Sequence, residues 1–390
     1  MFNMPQKSVR RPKGMGNVYQ RNGKWVGRLD TGQKKPDGKP LIKYFSGTSR
    51  ADVNRQIKQY QFIQDLDPDR VSVRTYMEDW LVRYKKDTVK ASSYDALENA
   101  LLNRVVPAVG MIQLSQLTTA DCQQMINGLV AKGLSYSSIK KARDILNMGM
   151  RTAVYEGHIA NNPMEGIVMP TATSFDTKDI QCFEPSEVKL FLDECHRTYS
   201  TVGTPVYVYA DAYILNLNTG LRMGEILALT KEDWDRSTDT LSVTKSLQTV
   251  RNRSEDGARE GGFHLAFTPT KTKSSKRRIP LNSAATEALT KLCAQHPASQ
   301  YIVCAQNGNV LPPQQYQRSF YRILRNCGLP QRGIHSLRHT FATTLIHNGV
   351  DAKTVSKLLG HASVRITLDT YVHATEEVNA EAVTVLDDIF

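Results

Sequence analysis

Hydrophobic and polar positions alternate with a period of two near the start of the chain and recur with a helical period further on. Residues 24–29 (Lys-Trp-Val-Gly-Arg-Leu) alternate as a half-buried strand does, and the Asn-Gly pair just before them is a strong hairpin signal. Further strand-like runs lie at 16–20 and 41–45, and Ser49 is positioned to cap a helix. Residues 1–62 therefore predict a small domain of three strands and a helix that buries one face of the sheet.

After a polar linker at 63–70, apolar residues recur every three or four positions, which predicts helices. Tyr76, Trp80 and Tyr84 share one face of the first helix, because residues four apart lie about one turn apart. Three more segments of this kind follow before an Asn-Asn-Pro stop. We expect residues 71–168 to form a compact helical bundle.

The segment at 166–180 contains proline, threonine and serine without a periodic pattern, which predicts a linker. The region beyond it, 180–390, predicts helices and a few short strands. We expect Ser186 to cap its first helix, and the polar stretch 251–262 to be a loop between strands. The fold class is therefore multidomain α+β: a small three-stranded sheet plus a helix, then a helical bundle, then a mainly α domain with a small β-sheet or hairpin.

The chain has 390 residues and a formal net charge of +12, and nearly all of the excess lies in its first 60 residues. That stretch holds 14 Lys or Arg against 3 Asp or Glu, whereas the other 330 residues hold 36 against 35. A basic end on a nearly neutral chain indicates nucleic acid or an anionic membrane surface as a partner. Because strand-forming residues alternate with these charges, we favour nucleic acid over a solvated tail.

Other features of the composition restrict the class of protein. No run of 18 apolar residues occurs, so we expect no membrane span, and the basic N-terminus lacks the apolar core of a signal peptide. The six cysteines are scattered without a C-x-x-C pair, which predicts reduced and mostly buried thiols. These features predict a cytoplasmic protein without a membrane partner.

Two motifs in the third region carry side chains suited to binding a phosphate. Arg222 precedes Glu225 by three residues, so on a helix the carboxylate can orient the guanidinium. A guanidinium presents a fork that fits two phosphate oxygens. The sequence His-Ser-Leu-Arg places His335 and Arg338 on one helical face by the same spacing.

A third histidine and a tyrosine follow these motifs. Gly360 predicts a turn that presents His361, and Tyr371 lies ten residues further on. His339 stands four residues after His335, as in some zinc-binding pairs, but the glutamate of the H-E-x-x-H pattern is replaced by Ser336. We therefore expect no metal site, and a structural role for His339.

With Arg222, His335, Arg338, His361 and Tyr371 in this order, the chain resembles the tyrosine recombinases, the phage-lambda-type integrases. Within that family it is most similar to the integrases of conjugative transposons and related phages, most strongly over about residues 180–375. The resemblance implies that the tyrosine attacks a phosphate of duplex DNA while the arginines and histidines stabilise the transition state. It also implies a 3′-phosphotyrosine and a Holliday junction as intermediates, with no metal, ATP or other cofactor.

The family has a further catalytic lysine, on a β-hairpin, that protonates the leaving 5′ oxygen. The Thr-Lys-Thr sequence at 270–272 makes Lys271 the best match. Lys273 remains the alternative, because both lysines alternate to the same face of a strand.

The resemblance also implies what each domain does. Residues 1–62 would bind arm-type DNA sites, residues 71–168 would bind core-type sites, and residues 180–390 would form the catalytic domain with a C-terminal assembly tail. The implied partners are double-stranded DNA, further copies of the chain in a homotetramer, an excision factor and a DNA-bending protein, and the protein would be nucleoid-associated when bound to DNA. The candidate DNA-binding residues are Arg21, Lys24, Arg28, Lys43, Lys85, Lys86, Lys140, Lys273, Lys276 and Arg277.

Two other functions remain open at this point. A DNA-binding regulator could retain the fold without the chemistry, but all six catalytic positions carry competent side chains. A type IB topoisomerase shares the chemistry but only relaxes supercoils, and the basic N-terminal domain and the apolar tail at 379–390 favour the recombinase. The tail could dock on a neighbouring subunit or on its own domain.

Overall fold

The computed structural model describes residues 17–21, 23–34, 39–54, 56–57, 71–171, 175, 181–200, 203–254, 259–270 and 275–368. The first 16 residues of the basic N-terminal stretch, the linker at 63–70 and the C-terminal tail lie outside the described residues. The chain divides into two compact units. Unit one comprises residues 1–85 and 97–170, and unit two comprises residues 86–96 and 171–390. The division into three domains stays a prediction.

The N-terminal sheet is antiparallel, with its strands in the order β1–β2–β3. Its first hairpin pairs Arg21 with Lys24, so the turn between them has two residues, as the Asn-Gly pair predicted. The second strand continues beyond the six residues whose alternation predicted it, because pairing with the third strand holds the polar residues that follow. The strands are β1 Asn17–Arg21, β2 Lys24–Lys34 and β3 Pro40–Gly47.

A helix at 50–54 and 56–57 covers one face of this sheet. Ser49 caps it, since its Oγ accepts a hydrogen bond from the Asp52 backbone N–H at 3.1 Å. Val53 and Ile57 form a small buried cluster with Leu29 of β2. The predicted arrangement of three strands and one covering helix is therefore confirmed.

The helices after the sheet follow the predicted order. Thr118 caps one of them through a capping box with Asp121. A π-helical turn, Leu101–Val105, joins two short helices. The helices are α1 Val73–Lys85, α2 Ala91–Ala100, α3 Val106–Val109, α4 Thr119–Ala131 and α5 Tyr136–Tyr155.

The aromatic face of α1 packs near the C-terminal end of α5. Tyr76 is buried, and its hydroxyl donates to Glu156 at 2.8 Å, while the more exposed Tyr84 donates to the same carboxylate at 2.7 Å. Arg83 donates to that carboxylate as well, at 2.6 Å. The sequence predicted the aromatic face but not the carboxylate on which its hydroxyls converge.

Unit two surrounds a large apolar core with helices and two small sheets. The stacked rings of Tyr213 and Tyr316, 4.6 Å apart, lie at its centre with Phe320. One sheet has the strand order β4–β5–β8 and the other is the β6–β7 hairpin. The helices are α6 Pro185–Cys195, α7 Ala210–Thr219, α8 Met223–Ile226, α9 Ser283–Gln295, α10 Pro313–Asn326, α11 His335–His347 and α12 Ala352–Leu359, and the strands are β4 Trp234–Asp235, β5 Thr240–Val243, β6 Lys245–Arg253, β7 Arg259–Pro269 and β8 Arg277–Pro280. The predicted α+β fold class is confirmed.

Two local predictions were wrong. Helix α6 begins at Pro185 and is capped by Glu184, so Ser186 lies inside its first turn. Proline suits the first helical position because the N–H that it lacks would have no partner there. The predicted loop at 251–262 is largely strand, since the β6–β7 ladder runs out to the Arg253–Arg259 pair. Its residues on β7 are exposed on both faces, so no alternation of apolar and polar residues marked the strand.

Candidate active site

Arg222 stands at the N-terminus of the short helix α8, as the sequence predicted. Its backbone N–H donates to Glu225 Oε2 at 2.9 Å and its Nη1 donates to Oε1 at 2.9 Å. The side chain is 35% exposed, and among the described residues its Nε and Nη2 have no hydrogen-bond partner. The carboxylate therefore fixes one edge of the guanidinium and leaves the other edge open to a ligand.

Glu225 is nearly inaccessible, and a second arginine holds it from the opposite side. Arg277 donates Nη2 to Oε2 at 2.8 Å and Nη1 to Oε1 at 3.2 Å, and only 5% of its side chain is exposed. Burial would raise the pKa of Glu225, but the hydrogen bonds and charges of Arg277 and Arg222 outweigh it and lower the pKa to about 2. The carboxylate is thus ionised and shared between two cations.

Arg338 lies on α11 and is 4% exposed. Its Nη1 donates to the Gly220 carbonyl at 2.7 Å and its Nη2 to the Leu359 carbonyl at 2.8 Å. Gly220 ends α7 in the left-handed conformation, with φ of +60°, and a Cβ there would lie 2.5 Å from Phe341. A side chain at this position would therefore disturb the carbonyl that orients Arg338.

Three arginines meet at the C-terminal end of α12. Arg277 Nε donates to the Leu358 carbonyl at 2.6 Å, Arg338 binds the Leu359 carbonyl, and Arg222 Nη1 lies 3.5 Å from that same oxygen. The last carbonyls of a helix carry partial negative charge and lack partners within the helix, so guanidinium groups are favourable there. The end of α12 thus gathers arginines from three distant parts of the chain.

Gly360 ends α12 with a left-handed φ of +66°, which confirms the predicted turn before His361. Burial lowers the pKa of His361 to about 4, and the charges of Arg338 and Arg222 add to this effect. The ring Nδ1 is 2.8 Å from Thr367 Oγ1. His361 therefore stays neutral at physiological pH beside a cluster of cations.

His335 and His339 on α11 are neutral for the same reason. Burial lowers the pKa of His335, and the charges of Arg338 and Arg222 lower it further. Burial also lowers the pKa of His339 to about 4. No group of three or more His, Cys, Asp or Glu side chains in the described part of the chain is arranged to hold a metal ion.

The structure thus brings together Arg222, Arg338, His335 and His361, and their catalytic roles stay a prediction. Lys271, its alternative Lys273 and Tyr371 lie outside the described residues. The sequence did not predict that Arg277 and Thr367 contact the site. No local signal marked either residue. The partner of Arg277 is Glu225, which is distant in sequence, and the partner of Thr367 is His361, which follows the turn at Gly360.

The candidate DNA-binding residues of the N-terminal sheet lie on two faces. Directly paired residues of antiparallel strands share a face, so Arg21, Lys24 and Arg28 lie on the face opposite the helix. Tyr44 pairs with Arg28 and joins them there with 61% of its surface exposed, whereas Lys43 pairs with the buried Leu29. Tyr44 is thus a candidate that the sequence analysis missed.

The remaining candidates differ in exposure. Lys140 and Lys276 are exposed, whereas Lys85 and Lys86 are half-buried, and Lys85 Nζ lies 5.2 Å from the centre of the Trp80 ring. The burial of Arg277 argues against the DNA contact predicted for it, because its guanidinium is bonded to Glu225 and to α12. Among the described helices, none is long and apolar enough to cross a membrane.

Comparison with known proteins agrees with this arrangement. A family model described as the phage integrase family matches residues 181–377, and a model described as phage integrase, N-terminal SAM-like domain, matches residues 72–130. A tyrosine recombinase XerC-like protein of Caldanaerobacter subterraneus subsp. tengcongensis is 27% identical over 95% of this chain and 98% of its own length. The ICEBs1 integrase of Bacillus subtilis is 26% identical over 71% of this chain and 72% of its own.

Solved structures share the fold. The Tn1549 transposon integrase in complex with a circular intermediate DNA matches with a TM-score of 0.66 at 22% identity, over 81% of this chain and 99% of that chain. A lambda integrase tetramer bound to a Holliday junction matches with a TM-score of 0.57 at 19% identity, over 93% and 96%. Because the first family model spans just over half of the 390 residues, the chain belongs to the phage integrase family and is a tyrosine recombinase, an enzyme of site-specific DNA strand cleavage and transfer.

Proposed function

We propose that this protein integrates and excises a mobile DNA element by cutting and rejoining DNA through a 3′-phosphotyrosine on Tyr371 and a Holliday junction. The observation that carries the proposal is the convergence of Arg222, Arg338 and His361 at the end of α12. Two guanidinium groups and a neutral imidazole are a suitable set of donors for the oxygens of one phosphodiester.

The scissile phosphate would lie against the open edge of Arg222. Glu225 holds the other edge, and Arg277 offsets the charge of that carboxylate, so the cluster of two arginines and one glutamate keeps a net positive charge. This charge stabilises a phosphorane transition state more than the singly charged ground state, because more negative charge develops on the equatorial oxygens.

The reaction would need a base for Tyr371 and an acid for the departing 5′ oxygen. A free tyrosine has a pKa of about 10, so Tyr371 needs a base as it attacks, and His335, whose pKa is lowered by burial, is free to accept that proton. The P–O5′ bond breaks as the tyrosine–phosphorus bond forms, and Lys271 protonates the departing 5′ oxygen, with Lys273 as the alternative. The 5′ hydroxyl of the second DNA strand then attacks the phosphotyrosine and releases Tyr371.

We assign DNA binding to three separate surfaces. The sheet face with Arg21, Lys24, Arg28 and Tyr44 would bind arm-type sites, because an antiparallel ribbon fits the major groove. The exposed Lys140 of the bundle and Lys276 beside the catalytic cluster would bind phosphates of core-type DNA. The domains would then be residues 1–62, 71–168 and 180–390. Lys43, Lys85 and Lys86 remain candidates for further backbone contacts.

Strand exchange between two duplexes would require a homotetramer, and an excision factor and a DNA-bending protein are further candidate partners. A groove of about 470 Å³ in unit two is lined by Leu192, Ile214, Leu217 and Phe341. Its size and apolar lining suit the side chains of the tail at 379–390, which we place on a neighbouring subunit.

The test is covalent trapping on a suicide DNA substrate that is nicked near an end of the element, in EDTA. Wild-type protein should form an adduct that survives denaturation, and Tyr371→Phe should form none. Tight binding without any adduct on the element's own mapped ends would contradict the proposal and favour a DNA-binding regulator. Transfer between two DNA sites, rather than relaxation alone, would separate the recombinase from a topoisomerase.

A further inference from the structure

Thr367 contacts the ring of His361 from a fully buried position. Its Oγ1 lies 2.8 Å from Nδ1, and none of its surface is exposed. Within the described part of the chain, neither this hydroxyl nor Nε2 of His361 has another hydrogen-bond partner. The hydroxyl and the ring therefore form an isolated pair, with Nε2 available to a ligand.

A neutral imidazole carries one proton, and the hydrogen bond at one nitrogen decides whether the other nitrogen holds it. Burial and the charges of Arg338 and Arg222 keep His361 neutral, because they lower its pKa to about 4. The two tautomers differ in what they offer a phosphate oxygen. A proton on Nε2 makes that nitrogen a donor, whereas a bare Nε2 presents a lone pair to the oxygen's lone pairs.

The burial of Thr367 distinguishes these tautomers. If the hydroxyl accepted a hydrogen bond from Nδ1–H, its own O–H would be left without an acceptor among the described residues, and an unsatisfied buried donor is unfavourable. If the O–H donates to Nδ1, no donor of the pair is left without a partner once Nε2–H binds the phosphate. The second arrangement satisfies both groups.

We propose that Thr367 is a positioning residue whose O–H donates to Nδ1 of His361, which places the ring proton on Nε2 and directs it to the scissile phosphate. This inference rests on the proposed function, because it assigns a phosphate as the ligand of Nε2. Thr367 itself touches neither the substrate nor the reacting atoms and acts through His361.

The tautomer can be read directly by ¹⁵N NMR of the full-length protein labelled in its histidines, with the His361 signals assigned by comparison with His361→Gln. We expect a pyridine-type shift for Nδ1 and a pyrrole-type shift for Nε2. The opposite pattern in the wild-type protein would overturn the proposal, whether or not any variant folds.

Kinetics provide the second readout. Thr367→Val keeps the shape but removes the hydroxyl, so single-turnover cleavage of saturating suicide DNA should slow by about 10- to 100-fold with an unchanged Kd. Thr367→Ser should restore most of the rate. Thr219→Val is the matched control, since Thr219 is equally buried but donates to the Leu215 carbonyl, and it should cleave at the wild-type rate.

A double-mutant cycle tests whether Thr367 acts through His361 or through another group. In the His361→Gln background, Thr367→Val should cause no further loss of cleavage rate, because the ring that it positions is gone. An additive loss would show that Thr367 acts elsewhere and would overturn the proposal. The proposed function is tested independently by the Tyr371→Phe adduct assay, so an active wild type with an unaffected Thr367→Val refutes only the inference.

Discussion

Glu225→Gln tests whether a buried carboxylate holds the arginine cluster together. Glu225 accepts hydrogen bonds from Arg222 and Arg277, and its pKa falls from the ordinary 4.5 to about 2. At 1.36 kcal/mol for each pKa unit, the difference of about 2.5 corresponds to ~3 kcal/mol of folding free energy in the ionised form. Glutamine resembles the protonated acid, and its amide group would also face two sets of donors. We therefore expect the variant to lose ~3 kcal/mol at pH 7.

The loss should depend on pH in a defined direction. Because the pKa of Glu225 is lower in the folded protein, its contribution is complete above about pH 4.5 and disappears as the pH falls towards 2. The stability difference between the wild-type protein and Glu225→Gln should therefore be constant from pH 7 to 5 and then shrink. Other carboxylates titrate in both proteins, so only the difference is informative.

The assay is urea unfolding followed by tryptophan fluorescence. The chain has three tryptophans, and replacing Trp25 and Trp80 with phenylalanine leaves Trp234, in unit two, as the reporter. Glu232→Gln is the matched control, since this carboxylate is exposed a few residues away and its loss should leave the midpoint unchanged. Equal midpoints for Glu225→Gln and the control, or a difference in unfolding free energy that is as large at pH 2.5 as at pH 7, would refute the reasoning.

Four further outcomes are expected. Gly220→Ala should destabilise unit two by ~2 kcal/mol or more in the same fluorescence assay, because its φ is +60° and a Cβ would lie 2.5 Å from an aromatic ring of α11; an unchanged midpoint would contradict this. Lys276→Gln should lower the slope of log K against log salt for core-type DNA by about 1, as loss of one phosphate contact does, and an unchanged slope would exclude that contact. Arg28→Gln should weaken binding to arm-type DNA more than Lys43→Gln does, since only Arg28 lies on the open sheet face; titrations that rank them the other way would move the interface to the other face. His361 should contribute no inflection near pH 6.5 to the cleavage rate, because its pKa is about 4, and an inflection there that disappears in His361→Gln would show that this ring is charged in the resting enzyme.

Local patterns predicted much of the fold. The Asn-Gly pair predicted the first hairpin, Ser49 predicted the start of the helix over the N-terminal sheet, and Gly360 predicted the turn before His361. Each of these signals acts within a few residues, because a turn or cap depends on the conformation of its own neighbours. The predictions failed at Ser186, where the preceding proline starts the helix earlier, and along 251–262, where an exposed ladder carries no apolar pattern.

For the candidate site residues too, contacts between near neighbours in the sequence were predicted and contacts between distant residues were not. Arg222 and Glu225 are three apart, so their pairing followed from helical spacing alone. Glu225 and Arg277 are 52 positions apart, so local spacing did not predict their ion pair. Because of this pair the Arg277 side chain is buried, whereas the sequence predicted that it contacts DNA. No property of a run of basic residues distinguishes the one that turns inward.

By itself, the sequence determined the order and spacing of the arginines, histidines and tyrosine, and with them the chemistry that the chain can perform. Only the tertiary structure decided that Arg222, Arg277 and Arg338 meet at the end of α12, and that Thr367 faces the ring of His361. The type and the local spacing of side chains depend only on residues that are neighbours in the sequence. The meeting of three cations on one helix end instead depends on packing that brings together groups up to 137 positions apart.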